Sequence, residues 1–242
     1  MSLKFAKATL IAFVAVSLAT SKSNAVVLSN YTFDNQTLAP SSVVPGVSFS
    51  DFSYNPDVTP GKPNFYTRNP GFAYQATNWS LGETNAPPPN PLGNYFAYTV
   101  TPQQGFQLSL TSIMLDERRS DTGIRNFQVR SSLDNYASAL STFTVPNDSL
   151  FRSNQTTTLG TSFSNLSSPV TFRIYGYNAV DSRGTWGVDN VQTVGNVSST
   201  QAVPFEFSPG MGILALGAWG VVTQLNSITR KRRFFKSKFF KS

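Results

Sequence analysis

From Val26 to Val194 apolar and polar positions alternate in short runs. Nowhere in that stretch does a helical spacing persist for ten residues. The runs are rich in Val, Ile, Thr, Tyr and Phe, and clusters of Asn, Gly, Pro and Ser separate them. They predict strands near Val26–Phe33, Val47–Ser53, Ala73–Trp79, Tyr95–Thr101 and Phe106–Asp116. Five more follow near Asn126–Ser131, Leu140–Val145, Thr156–Thr161, Pro169–Tyr177 and Thr185–Val194. Alternation is clearest from Phe106 to Thr111 and from Val170 to Tyr177. One face of each such strand packs while the other stays wet. About ten short strands in one stretch predict an all-β fold, a single antiparallel β-sandwich of jelly-roll-like type.

The two ends of the chain depart from this pattern. Lys4 and Lys7 precede an apolar stretch from Ala8 to Ala19, and Ser23-Asn24-Ala25 has the small-x-small form of a cleavage site. Residues 1–25 therefore read as a signal peptide. At the other end, Phe207 to Thr229 is uncharged and mostly apolar over 23 residues. Roughly 20 apolar residues in a helix cross a hydrocarbon core, so one C-terminal transmembrane helix is expected there. Arg230, Lys231, Arg232 and Arg233 open a basic tail over residues 230–242 that contains no acid. By the positive-inside rule this tail stays cytoplasmic and the preceding domain faces outward. Residues 26–194 form the expected ectodomain, and residues 195–202 read as a polar linker.

Just before the apolar span stands Val203-Pro204-Phe205-Glu206-Phe207-Ser208-Pro209. Motif, span and basic stop together resemble the PEP-CTERM sorting tail of bacterial exported proteins. The form is the Pro-Phe-Glu-Phe-Ser-Pro variant associated with cyanobacteria. The resemblance covers residues 203–242. It departs from the basic pattern because Phe205 separates Pro204 from Glu206 and the next proline is displaced to Pro209. It implies an exosortase-type membrane protease as partner and delivery to the cell envelope, surface or extracellular matrix. An unprocessed membrane anchor is the alternative. The ectodomain also looks like the sandwiches that precede such tails, and like carbohydrate-binding jelly rolls. That likeness lies in Tyr31-Thr32-Phe33-Asp34, the block from Leu115 to Ser120, the block from Pro169 to Tyr177 and the closing Gly184–Val191.

Charge and composition narrow the chemistry. The chain carries a formal net charge of +7. Ten of its 19 basic residues, however, lie in the leader and tail. Residues 26–202 hold nine Lys/Arg against eleven acids, a net charge of −2. No basic stripe remains for a phosphate backbone, so nucleic acid is not an expected partner. The chain has no Cys and no His, which excludes disulfides, Ser-His-Asp and Cys-His catalysis, and the commonest zinc ligands. A glycosidase needs two carboxylates converging on one cleft. Asp116 and Glu117 are adjacent on a predicted strand and so point to opposite faces. Arg118, Arg119, Arg125 and Arg130 are near enough in sequence to neutralise them on a solvated face.

The expected function is thus non-catalytic, and the candidates are binding residues. Sugars stack their apolar faces on exposed aromatic rings while amides and charged groups bind the hydroxyls. Tyr66, Arg68, Tyr74, Asn78 and Trp79 are candidates for that role, with Tyr175, Tyr177 and Trp186 behind them. Asp34 after the first strand and Asp189 on the last supply hard oxygen ligands suited to a structural Ca²⁺. Two long Pro/Gly/Asn-rich loops, 54–68 and 82–94, are where a rigid scaffold tends to carry function. A polysaccharide of the envelope or matrix is the expected ligand. A structural or adhesion protein without a specific ligand is the alternative, and a carbohydrate-active enzyme is a third reading.

Overall fold

The computed structural model describes residues 24–55, 61–68, 71–81 and 94–200. The leader through residue 23, the 203–209 motif, the apolar span and the basic tail lie outside the described residues. Among the described residues no helix is long and apolar enough to cross a membrane.

Among the described residues thirteen strands follow one another. The first four are β1 (Val26–Tyr31), β2 (Ser42–Val43), β3 (Val47–Phe49) and β4 (Ser53–Asn55). The middle of the chain forms β5 (Asn64–Thr67), β6 (Phe72–Ala76), β7 (Tyr95–Pro102), β8 (Phe106–Arg119) and β9 (Asn126–Ser131). The last are β10 (Ser141–Thr144), β11 (Arg152–Thr158), β12 (Val170–Tyr177) and β13 (Trp186–Ser199).

They build two antiparallel sheets packed as a sandwich, which is the all-β class the alternation predicts. The seven-stranded sheet runs β11-β8-β13-β1-β2, with β6 and then β5 added beside the first half of β13. The six-stranded sheet runs β10-β9-β12-β7-β3, with β4 pairing the first half of β7. Beyond shifts of a few residues at strand ends and the short unexpected β2, three stretches differ from expectation. The run at Val47–Ser53 is broken into β3 and β4, because Phe52 turns inward to pack against Tyr31, Phe33 and Tyr98. Part of the expected loop 54–68 is strand β5. Residues 195–199, expected as linker, continue β13 and pair with β8 from Leu110 to Phe106.

The core is aromatic. Trp79 meets Phe96 and Trp186 edge-on, each with ring centroids 5.1 Å apart. Trp186 in turn tilts against Phe127. Such edge-to-face pairs suit the ring quadrupoles and add to the burial of large apolar area. Gly176 faces this cluster from β12. A Cβ there would come 2.8 Å from the Trp79 ring, so the missing side chain is the space the indole occupies.

Bulges decide which side chains reach which face. One extra residue on β8, Thr111, falls between the pairs Ser112–Val194 and Leu110–Gly195. It switches the inward set from Leu108 and Leu110 to Ile113 and Leu115. Glu117 therefore points inward and Asp116 outward. Asn154 on β11 and Asn190 on β13 lie within two further register shifts, on either side of Asp116. Both Asn residues adopt left-handed φ, +60° and +47°, a conformation Asn tolerates better than most residues.

Candidate functional site

The outer face of the seven-stranded sheet carries a cleft of about 230 Å³. Its residues are set by register. Tyr66 on β5 lies opposite Ala73 on β6, Gln75 opposite Gly187 on β13, and Gly187 opposite Arg118 on β8. Strand alternation puts all of these on one face. Ala73 and Gly187 form a low floor. A Cβ on Gly187 would approach the Gln75 Cβ to 2.9 Å, so the floor cannot rise without moving β6. Tyr66, Phe151, Arg118 and Arg119 form the walls.

The Arg118 guanidinium lies over the Tyr66 ring at 4.8 Å and over Phe151 at 5.8 Å. Its Nε donates to the Ser149 carbonyl at 2.6 Å. Stacking on rings holds the planar group flat while leaving its charge in place. Arg118 has no ion-pair partner among the described residues. Arg119 donates to the carbonyls of Ser120 and Asp121 and to Asn147 Oδ1. Its pKa is pushed down by burial and by the nearby charges of Arg125 and Arg152. The cleft thus carries the positive charge of Arg118 beside a tyrosine that is 37% exposed, while Arg119 is buried.

Next to the cleft lies a closed charge centre. Arg68 Nη1 donates to Asp116 Oδ2 at 3.1 Å and to Asp189 Oδ2 at 2.5 Å. Asp116 also accepts the Asn154 backbone N–H and the Asn190 side-chain amide, both at 3.0 Å. These bonds tie the two flanking bulges to one carboxylate. Asp189 Oδ1 accepts the Asn190 N–H at 2.7 Å. Burial raises the Asp189 pKa, and Arg68 only partly offsets that. Burial also works against the Arg68 charge, but Asp189 and Asp116 more than compensate and hold its pKa above the ordinary value. The Arg68 guanidinium lies 4.4 Å above the Phe151 ring, which joins this centre to the cleft wall.

Of the five expected sugar contacts, the structure brings Tyr66 and Arg68 to this face. Tyr74 and Trp79 are buried in the core instead. Tyr74 packs among Phe33, Phe52, Phe65 and Phe96. Trp79 donates its indole N–H to the Ala76 carbonyl at 2.8 Å. Neither ring presents a face to a ligand. Asn78 sits at positive φ in the irregular segment after β6, where its N–H reaches the Ser182 carbonyl and its own carbonyl accepts the Asn94 side chain. Trp186 is buried, while Tyr175 and Tyr177 lie on the other sheet.

The two expected calcium ligands stand in different surroundings. Asp34 is exposed and lies against the Gly71 turn. Asp189 is buried, with both oxygens already engaged. The cation at Asp189 is the Arg68 guanidinium, and no cluster of three metal-ligating side chains occurs among the described residues. Asp116 and Glu117 do face opposite ways, but not on a solvated surface. Glu117 accepts the Trp186 indole N–H at 3.1 Å and pairs with Arg152 at 2.5 Å. The acids are neutralised by Arg68 and Arg152, not by Arg118, Arg119, Arg125 or Arg130. Arg118, Phe151 and Gly187 were not among the sequence candidates. Only strand register brings them beside Tyr66.

The described fold is an all-β, two-sheet antiparallel sandwich. It is similar to the CBM27-1 module of Caldicellulosiruptor saccharolyticus, solved with mannohexaose. The identity is 13%, covering 75% of this chain and 100% of that one, with a TM-score of 0.41. It is also similar to the family 29 carbohydrate-binding module CBM29_1 of Piromyces equi, at 10% identity, 73% and 93% coverage and a TM-score of 0.34. A cleaved adhesin domain of Lys-gingipain from Porphyromonas gingivalis matches at 12% identity, 72% and 99% coverage and a TM-score of 0.38. No family model matches the chain, and no curated protein does. These likenesses are of sandwich architecture and carry nothing about a ligand.

Proposed function

We propose that this chain is an exported, non-catalytic module that binds polysaccharide at the cell envelope or in the extracellular matrix. Residues 203–242 act as its sorting segment and an exosortase-type protease as its processing partner. The observation that supports binding is the cleft itself. A half-exposed tyrosine ring stands beside Gln75 and an arginine whose charge no carboxylate cancels, over a floor kept low by Ala73 and Gly187. Concave sites with a few placed polar groups are the usual form of a ligand pocket. In this reading a pyranose ring packs its apolar face on the side of the Tyr66 ring that Arg118 does not cover, with its hydroxyls on Gln75 and Arg118. Asp116 and Glu117 do not converge, so the carboxylate pair that a glycosidase needs is not built from them.

The test is retention of the full-length protein on a panel of immobilised polysaccharides, with Tyr66→Ala in parallel. Retention on at least one glycan, weakened in the variant, supports the reading. A folded protein retained by none of them leaves the structural or adhesion role ahead.

A further inference from the structure

The opposite face of the sandwich carries charge that nothing described so far uses. On the outer side of the six-stranded sheet, Arg173 of β12 lies directly across from Arg130 of β9 and Ala97 of β7. Two guanidiniums on neighbouring strands repel each other unless an anion intervenes. Neither forms an ion pair among the described residues. Arg130 is fixed by its hydrogen bonds to Gln128 Oε1 and to the carbonyls of Tyr136 and Ala137. Arg173 is held between two tyrosine rings, 4.4 Å above Tyr95 and 3.8 Å from Tyr136. Its Nη1 donates to the Tyr175 hydroxyl at 3.2 Å. Its Nε and Nη2 have no protein acceptor among the described residues. Ring stacking has oriented this group and left a two-donor edge open.

That edge borders a shallow concavity of about 210 Å³, lined by Ser53, Asn55, Thr99 and Thr171 as well as Tyr95 and Arg173. Hydroxyls and an amide line the space, with a cation at one side. We propose that this face is a second saccharide site, selective for an acidic sugar. The sugar's carboxylate or sulfate sits on the open edge of Arg173, and its hydroxyls meet Thr99, Thr171 and Ser53. The anion preference stands on the two guanidiniums, while the choice of a saccharide rests on the function proposed above. With a site on each sheet, one copy engages polysaccharide at two places at once, and only this face selects for the acidic group.

The experiment is calorimetric titration of the full-length protein with three size-matched oligomers: a uronic-acid oligomer, its carboxyl-reduced neutral form, and a sulfated form. A poly-glutamate peptide serves as the non-sugar anion. Arg173→Gln and Thr171→Glu are compared with Tyr66→Ala, and near-ultraviolet circular dichroism confirms each fold. Thr171→Glu places a carboxylate beside Arg173 at the cost of the Thr99–Thr171 hydroxyl hydrogen bond, and it leaves Arg173 in place. We expect the uronate or the sulfated oligomer to bind more tightly than the neutral one. We expect both variants on this face to weaken that binding by about tenfold or more, as for a lost charge-assisted hydrogen bond. Added salt weakens it too, and Tyr66→Ala leaves it unchanged.

The proposal is overturned if the neutral oligomer binds equally well, or if both folded variants keep full affinity. Poly-glutamate binding as tightly as the sugars also overturns it. Loss of acidic-oligomer binding in Tyr66→Ala alone would place the only site in the cleft and leave the earlier proposal standing. Loss only in the Arg173 and Thr171 variants, with the cleft variant inert, would do the reverse.

Discussion

Replacing Glu117 with Ala removes one acceptor from two donors at once. The Glu117 side chain is 1% exposed, and its two oxygens separately hold Arg152 Nε and the Trp186 indole N–H. Breaking a buried ion pair from one side costs about 3–5 kcal/mol, because the other charge is left uncompensated. Arg152 is 18% exposed and keeps Asp148, so its share falls at or below the low end, about 2–3 kcal/mol. Arg152 Nη2 already lacks a partner, so the guanidinium has no spare acceptor to turn to. The orphaned indole N–H, deep in the aromatic core, adds about 1–2 kcal/mol. The expected total is about 4 kcal/mol, a large part of the stability of an ordinary domain. Glu117→Gln keeps an acceptor for Trp186 and should cost about half as much. Glu117→Met with Arg152→Met should recover most of the loss, since apolar replacement of both partners is often neutral or better. The assay is urea unfolding followed by tryptophan fluorescence, with the slope checked for constancy. A cost below about 1 kcal/mol for Glu117→Ala would refute the reasoning. So would a double variant as unstable as the sum of its single changes.

Three further outcomes follow from the same contacts. Gly176→Ala drives a Cβ into the Trp79 ring, which is wedged against Phe96 and Trp186, and should cost about 1–3 kcal/mol in the same assay. The fold raises the Asp189 pKa, so this group's stabilising contribution is complete below its ordinary value and declines as pH rises through the raised one. Wild type should therefore compare more favourably with Asp189→Asn at about pH 3.5 than at neutrality, and the opposite slope would contradict the assignment. Because Arg68 supplies the cation at Asp189, a calcium chelator should leave the thermal midpoint unchanged, and a clear drop in chelator would restore the metal reading.

The strands were legible wherever one face alternates cleanly. Phe106–Leu110 and Val170–Tyr177 read correctly because each inward apolar residue is followed by a polar one. Phe72–Ala76 is apolar at nearly every position, so alternation could not say that Tyr74 turns inward while Ala73 and Gln75 turn outward. Tyr74 and Trp79 were accordingly read as surface rings, and packing claimed both. Strand β5 was hidden inside a Pro/Gly/Asn-rich stretch, and its four residues are too few to show a period. The bulges at Thr111, Asn154 and Asn190 leave no distinct mark in composition, yet they decide that Asp116 faces out and Glu117 in. Arg68 meets Asp116 across 48 residues and Asp189 across 121, distances over which sequence spacing predicts nothing. The same holds for Arg118, Phe151 and Tyr66, which meet only because four strands align. The expected export and sorting signals are linear patterns that lie outside the described residues, so they rest on the sequence alone.

The central claim is that a sugar lies in the cleft lined by Tyr66, Gln75 and Arg118. A crystal structure of the protein with an oligosaccharide taken from its best-retained polysaccharide tests this most directly. The account predicts a pyranose ring stacked on Tyr66, with hydroxyls within hydrogen-bond distance of Gln75 and Arg118. An ordered oligosaccharide bound elsewhere, with this cleft holding only solvent, would contradict it.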